Sequence, residues 1–238
     1  MAAIYSDGSY LNENPDWHVS ASDWKAQQII RLLEKNDIAF RTAVEVGCGA
    51  GHVLLHLSEY FPGAKFEGFE ISLDARKLWP KTSENRSYRL EDFTSSSGSY
   101  DLLLLIDVFE HVDDYLGFLR TIGDRSTHFV FHIPLDMNVQ MLVRDRHTHL
   151  RKSIGHLHYF SKSSALETLD YAGYRLEDYF YTAGALEAPG DNWTFKRHAM
   201  NVLRKMMFKL LPDLTVRLLG GYSLMVLCSR DTGHVGPE

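Results

Sequence analysis

The sequence predicts an α/β domain, a mostly parallel sheet with helices on both faces. Short apolar runs alternate with stretches of helical periodicity from about residue 42 onward, the pattern of strands connected by crossover helices. Three glycines separate the first apolar run from the helix that follows it. Residues 100–107 (YDLLLLID) are the most apolar run of the chain and suit a central strand covered on both faces.

A first strand is predicted at 42–46 (TAVEV), then a helix from about 51 to 60. A second strand at 64–69, a helix at 73–81 closing near Pro80, and a short third strand at 88–90 follow. Beyond the Ser/Gly loop 94–99 come the central strand, a helix near 112–122, and a fifth strand at 128–133 that stops at Pro134. Ser161 is placed as N-cap and Gly173 as C-terminal stop of a helix at 161–172. Residues 174–182 and 222–229 read as the last two strands. Three segments fall outside the alternation: an N-terminal cap within 1–40, the connection 135–160, and the connection 183–221, read as a helical insertion or lid. The last two follow strand carboxyl ends, where ligands bind in such sheets.

At 238 residues, 45% hydrophobic and 24% charged, the chain fits one soluble domain spanning 1–238, with a core at 41–182. A net charge of −6 repels phosphate backbones and argues against nucleic acid as a partner. Cys48 and Cys228 alone build no disulfide framework, which points to a reducing cytoplasm. The opening residues show neither a basic nor an apolar signal region, and no apolar run reaches the length of a membrane span.

Gly47, Gly49 and Gly51 lie in Val44-Glu-Val-Gly-Cys-Gly-Ala-Gly-His52. A bare backbone lets a ligand approach the start of the following helix closely. A dinucleotide fingerprint would need glycine where His52 stands, and a P-loop would need a Gly-Lys-Ser/Thr that does not follow. Glu70 closes the second strand about 20 positions on, where a carboxylate can accept both ribose hydroxyl protons of an adenosine group.

The pattern Glu45-x-Gly-x-Gly-x-Gly resembles the first motif of class I S-adenosylmethionine-dependent methyltransferases. Ile106-Asp-Val-Phe-Glu-His-Val112 and Gly155-His-Leu-His-Tyr-Phe-Ser161 resemble segments of the group containing the ubiquinone-biosynthesis O-methyltransferases, and the resemblance covers residues 40–182. It implies a Rossmann-like sheet of seven strands, the last antiparallel, and S-adenosylmethionine surrounded by Glu45, Gly47, Cys48, Gly49, Gly51, Glu70, Ile71, Asp92, Phe93 and Asp107. Asp92 and Phe93 would contact the adenine. The whole chain also looks like bacterial methyltransferases associated with polysaccharide and secondary-metabolite gene clusters, which points to O-methylation of a sugar or metabolite.

Methyl transfer from a sulfonium is an in-line displacement, so a desolvated pocket that places the acceptor lone pair behind the methyl supplies much of the catalysis. A hydroxyl acceptor also needs a base, most often histidine. Among 12 histidines, His111, His132 and His158 are the candidates, His111 first by family position, though family members also use that residue to line the cofactor. Asp107, Glu110, His111 and Asp113 crowd one turn, but their spacing fits no tetrahedral zinc pattern. They read as first-turn helix acids, and no metal is expected.

Tyr5, Tyr10, Trp17, His18 and Trp24 suggest an aromatic lid or a staple holding the N-terminal helix to the sheet. The basic amphipathic stretch 195–211, with Lys196, Arg197, Arg204, Lys205 and Lys209, reads first as a packed lid, then as a homodimer helix or an interfacial membrane helix. The expected partner is a small-molecule acceptor. Alternatives are N- or carboxyl-methylation, an enzyme using NAD or a nucleotide sugar, and a cofactor-binding protein without catalysis.

Overall fold

The structure is a computed structural model and describes residues 9–187 and 195–230. Tyr5 and the side chains of Lys196 and Arg197 lie outside the described residues. One sheet holds seven strands: β1 (Thr42–Val46), β2 (Lys65–Glu70), β3 (Arg86–Leu90), β4 (Tyr100–Ile106), β5 (Ser126–Pro134), β6 (Tyr174–Thr182) and β7 (Ser223–Arg230). Their order is β3-β2-β1-β4-β5-β7-β6. β1 to β5 pair in parallel, and β7 runs antiparallel between β5 and β6, as the sequence predicts for the last strand. The order reverses beside β1, so the carboxyl ends of β1 and β4 open the crevice where such sheets bind ligands.

β4 shows why its sequence reads as an unbroken apolar run. Leu103 and Leu105 enter the core on one face, with Phe109, Phe129 and Phe131, while Leu102, Leu104 and Ile106 enter the core on the other. That second face is covered by α2 (Ser22–Lys35) and α3 (His52–Tyr60), through Ala26, Ile29, Leu33, Leu54 and Leu57. The N-terminal helix is therefore a sheet-covering layer. Before it lies α1 (Ser9–Glu13), and between the two Trp17 overlies the glycine turn.

Two elements differ from expectation. The helix after β2, α4 (Leu73–Arg76), ends after four residues. The helix predicted from 112 begins later, as α5 (Tyr115–Ile122), because the Asp114 carboxylate caps it by accepting from the Gly117 amide at 2.9 Å. Residues Phe109–His111 form a separate 3-10 turn. After β5 come α6 (Val139–Val143), α7 (His147–Ser153) and α8 (Lys162–Tyr171), the last opened by a Ser161 capping box. Between β6 and β7 lie α9 (Gly184–Glu187), α10 (Phe195–Leu210) and α11 (Pro212–Leu219). α10 packs on the sheet by stacking Phe208 on Tyr222, 4.8 Å between ring centres, and leaves Val202, Leu203, Met206 and Leu210 exposed. Among the described residues no helix is long and apolar enough to cross a membrane.

Candidate functional site

β1 delivers the chain into a turn in which Gly47, Gly49 and Gly51 all have positive φ, between 51° and 74°. Such angles cost an L-residue Cβ contact with the following carbonyl, which glycine avoids. The Gly47 and Cys48 amides both donate to the Phe69 carbonyl, at 2.8 and 2.9 Å. Glu70 then ties the end of β2 to the turn. Its carboxylate accepts from the amides of Gly49 at 2.9 Å, Ile71 at 2.8 Å and Ser72 at 2.8 Å. Burial raises the Glu70 carboxyl above its ordinary range, and these amides pull it back.

Above the turn lies a cavity of about 340 Å³. Its walls come from the glycine turn with Glu45, from the N-terminal residues Tyr10, Trp17, His18, Trp24 and Lys25, and from Asp107, His132, His111 and His156. Trp17 stands 3.0 Å from where a Cβ on Gly49 would be, so the N-terminal aromatics close over the turn. Trp24 meets the His132 ring edge-on, with 6.2 Å between ring centres.

Asp107 follows β4 in a left-handed backbone conformation, φ 57°, that aims its carboxylate across the cavity floor. One oxygen pairs with the Lys25 ammonium at 2.7 Å and the other accepts from His132 Nδ1 at 2.6 Å. His132 Nε2 in turn contacts the Thr182 hydroxyl at 2.9 Å. Burial by itself would raise the Asp107 carboxyl, but the His132 and Lys25 charges outweigh it and hold it well below the carboxylate range. For Lys25 burial alone would lower the pKa, and the Asp107 charge reverses the sign. The result is a fixed ion pair linking α2 to the end of β4.

Glu45 is 2% exposed and its Oε2 has no hydrogen-bond partner. Burial pushes its carboxyl up to about 8, opposed by Lys25 and helped by Glu70. Between the ordinary carboxyl value and about 8, the folded chain holds a proton that the unfolded chain has released. This contribution to stability is therefore full at low pH in that window and falls as pH rises. Glu45→Gln is expected to flatten the slope by about 1 kcal/mol per pH unit, read from denaturant unfolding at about pH 5, 6.5 and 8. An unchanged slope would refute the assignment.

The 3-10 turn places Glu110 and His111 beside the loop that carries His156. The Glu110 carbonyl accepts from the Leu157 amide at 2.9 Å and the His158 amide at 3.1 Å. His111 Nδ1 donates to the Gly155 carbonyl at 3.0 Å, and His156 Nδ1 bonds Asp136 at 2.7 Å. Burial, with His156 nearby, lowers the His111 pKa to about 4, so the ring is neutral at physiological pH. Glu110 is 1% exposed and neither carboxylate oxygen has a hydrogen-bond partner; burial and the Asp107 charge raise its carboxyl far above the ordinary range. Asp107 and Glu110 are thus not acids of the first turn of α5, which starts only at Tyr115 with Asp114 as its cap; Glu110 stands instead in the short 3-10 turn.

Of the predicted site residues, the structure brings Glu45, Gly47, Cys48, Gly49, Gly51, Asp107, His111 and His132 to the cavity. Glu70 is not among the walls, and its carboxylate braces the turn through the Gly49 amide. Ile71, Asp92 and Phe93 are not among the walls: Ile71 is exposed, Asp92 caps the next 3-10 turn through the Thr94 amide, and Phe93 is buried edge-on against Phe69. His158 also points elsewhere, with its Nε2 donating to the Val112 carbonyl at 3.0 Å and its ring against Tyr115. Lys25 and Thr182 escaped the sequence reading. A lysine on an amphipathic helix carries the pattern of a solvent-facing residue, and only helix docking turns it inward.

Residues 21–179 match a family model described as a methyltransferase domain. The fold is similar to that of magnesium protoporphyrin IX methyltransferase from Synechocystis PCC 6803 with bound SAH, with a TM-score of 0.59, 13% identity, and 91% of this chain and 86% of that one covered. It is also similar to the putative methyltransferase solved with the Haloferax volcanii Trm112 methyltransferase activator (TM-score 0.57, 18% identity, 96% of each chain). Coclaurine N-methyltransferase bound to N-methylheliamine and SAH gives a TM-score of 0.56 at 17% identity over 86% of this chain and 72% of that one. No curated protein matches the sequence.

Proposed function

The chain belongs to the methyltransferase-domain family and is an S-adenosylmethionine-dependent methyltransferase, and on that premise we propose that it methylates an oxygen of a small hydroxylated acceptor, a sugar or a secondary metabolite. The observation that carries this reading is the shape of the cavity, which joins the glycine turn at one end to His111, His132 and His156 at the other. Donor and acceptor would then share one cleft. Its volume of about 340 Å³ is near the lower end of the roughly 300–1,000 Å³ seen for small-molecule sites, which favours a compact acceptor.

The Glu45 carboxylate, buried without a partner for Oε2, suits the ammonium of the donor's amino-acid end. Glu70 spends three of roughly four acceptor positions on backbone amides and keeps lone-pair capacity for a ribose hydroxyl. In the transfer, the acceptor oxygen forms a bond to the methyl carbon as the carbon–sulfur bond breaks, its electron pair passing to sulfur. The hydroxyl proton needs an acceptor. His111 fits this role, because its Nδ1–H is spent on Gly155 and the basic lone pair lies on Nε2. His132, held on both nitrogens, positions Asp107. His158 lies outside the cavity and is set aside as a base.

The test pairs thermal shift with labelled-methyl transfer into small-molecule extract. S-adenosylhomocysteine at about 100 times its Kd should add about 2.7 kcal/mol, a rise in Tm of several degrees. The label should appear in a low-molecular-weight ether that survives alkali. Label released by alkali as methanol would identify a carboxyl acceptor and sink the oxygen-ether reading. No stabilisation by the spent cofactor would sink the enzyme assignment itself.

A further inference from the structure

The histidine end of the cavity holds a donor set of which the methyl transfer described above uses His111 alone. Glu110, His111 and His156 each offer a ligand atom, and these atoms all lie within 4.8 Å of one another. Glu110 is 1% exposed, with neither carboxylate oxygen hydrogen-bonded. A carboxylate withdrawn from water without a partner is costly to keep, and a cation is the group that would satisfy it. Its Oε1 stands 3.8 Å from His111 Nε2, so the carboxylate faces the ring without bonding it.

Both histidines are oriented as ligands are. His111 gives its Nδ1–H to the Gly155 carbonyl at 3.0 Å, and His156 holds the Asp136 carboxylate with Nδ1 at 2.7 Å. Each ring thereby carries its lone pair on Nε2, and the Asp136–His156 pair is the carboxylate–histidine arrangement that commonly backs a metal-bound imidazole. The two rings meet edge-on with 4.9 Å between centres. His111 and His156 line the cavity, with Glu110 behind them, so an ion here would face the space that holds the acceptor.

We propose that Glu110, His111 and His156 form a divalent-metal site at the acceptor end of the cavity, with its remaining positions open to a hydroxyl of the substrate. Two imidazoles and one carboxylate suit a first-row ion such as Zn²⁺, Co²⁺, Mn²⁺ or Fe²⁺ better than Ca²⁺, which takes oxygen ligands. Bond lengths of about 2.0–2.2 Å would bring the three ligand atoms to roughly 3–3.5 Å from one another, a contraction of the order of an ångström that side-chain rotation supplies. The assignment rests on the oxygen-acceptor reading for its chemistry. With its Nε2 on the ion His111 is no longer the proton acceptor, and the ion takes over that activation: a hydroxyl bound to it becomes more acidic and releases its proton to water. Its oxygen then bonds the methyl carbon, and sulfur leaves with the carbon–sulfur electron pair.

The full chain, stripped with a chelator and dialysed, is titrated with Co²⁺ and followed by visible absorption, with Zn²⁺ competition. Wild type should bind one Co²⁺ with nitrogen-ligand absorption bands that Zn²⁺ displaces. His156→Gln and Glu110→Gln should bind about 100-fold more weakly or not at all, and Asp136→Asn about 10–100-fold more weakly. His149→Gln, on the exposed face of α7, serves as the control and should bind as wild type does. Because Glu110 is buried, far-UV circular dichroism accompanies each variant, and His156→Gln decides if Glu110→Gln unfolds. Equal Co²⁺ affinity in wild type and folded His156→Gln overturns the site. S-adenosylhomocysteine stabilisation is measured on the same metal-free samples. Stabilisation without Co²⁺ binding overturns the metal site and leaves the transferase standing, whereas Co²⁺ binding without stabilisation supports the site and counts against the transferase.

Discussion

Gly51→Ala is expected to abolish stabilisation by S-adenosylhomocysteine and to lower unfolding free energy by about 2–5 kcal/mol. Two costs add. The residue sits at φ 74°, where an alanine Cβ presses on the following carbonyl, at about 1–2 kcal/mol. The added Cβ would also stand 2.5 Å from Tyr88 Cε1, an overlap that forces the ring away at about 1–3 kcal/mol. Tyr88 cannot simply rotate, since its hydroxyl donates to the Gly51 carbonyl at 2.8 Å and its ring stacks on Trp79. Trp79 in turn donates to the Gly49 carbonyl at 2.9 Å, so a moved ring disturbs the whole turn. Thermal unfolding with and without ligand reads both effects. Gly63→Ala is the control, because nothing lies within 4 Å of its added Cβ. Equal Tm and equal ligand response in the two variants would refute the packing described for the turn.

Asp107→Asn should cost about 3–5 kcal/mol and lower methyl transfer by about 100-fold or more. Asparagine adopts the left-handed backbone readily, so the variant removes charge while sparing the turn. What remains is the Lys25 ammonium, 17% exposed, facing a neutral amide at the position of its 2.7 Å partner. Lys25→Met leaves the converse, a carboxylate supported by His132 alone. In the double variant neither charge is stranded, and at least about 1 kcal/mol should return. Strictly additive losses would mean that the pair does not act as a unit. The ion pair also joins α2 to β4, so its loss should loosen the N-terminal aromatics over the cavity and raise amide exchange in residues 10–25.

Much of this architecture was legible before any coordinates. All seven strands appear within two residues of the short runs that predict them, since an apolar run bounded by turn residues reports a buried strand. The glycine turn was legible because positive φ leaves a compositional mark. Boundaries governed by capping were less so: the helix expected near 112 starts only at Tyr115, where the Asp114 carboxylate accepts from the Gly117 amide. The adenine contacts assigned to Asp92 and Phe93 came by resemblance, while here the ring of Phe93 belongs to the core.

What the amino-acid order determined alone is therefore local: which segments are strands, where the backbone must turn left-handed, and that Glu45 and Asp107 lie at the ends of strands. Which distant side chains meet was decided by tertiary packing. Spacing within 107–113 fits no metal pattern, because the third member of the cluster, His156, lies 45 residues beyond His111 on a separate loop. That loop is held by the Glu110 carbonyl, which takes the amides of both Leu157 and His158 and so breaks the regular alternation of an extended run. His156 consequently faces His111 and His158 turns to Tyr115. A periodicity read along the chain cannot see a hydrogen bond made across it.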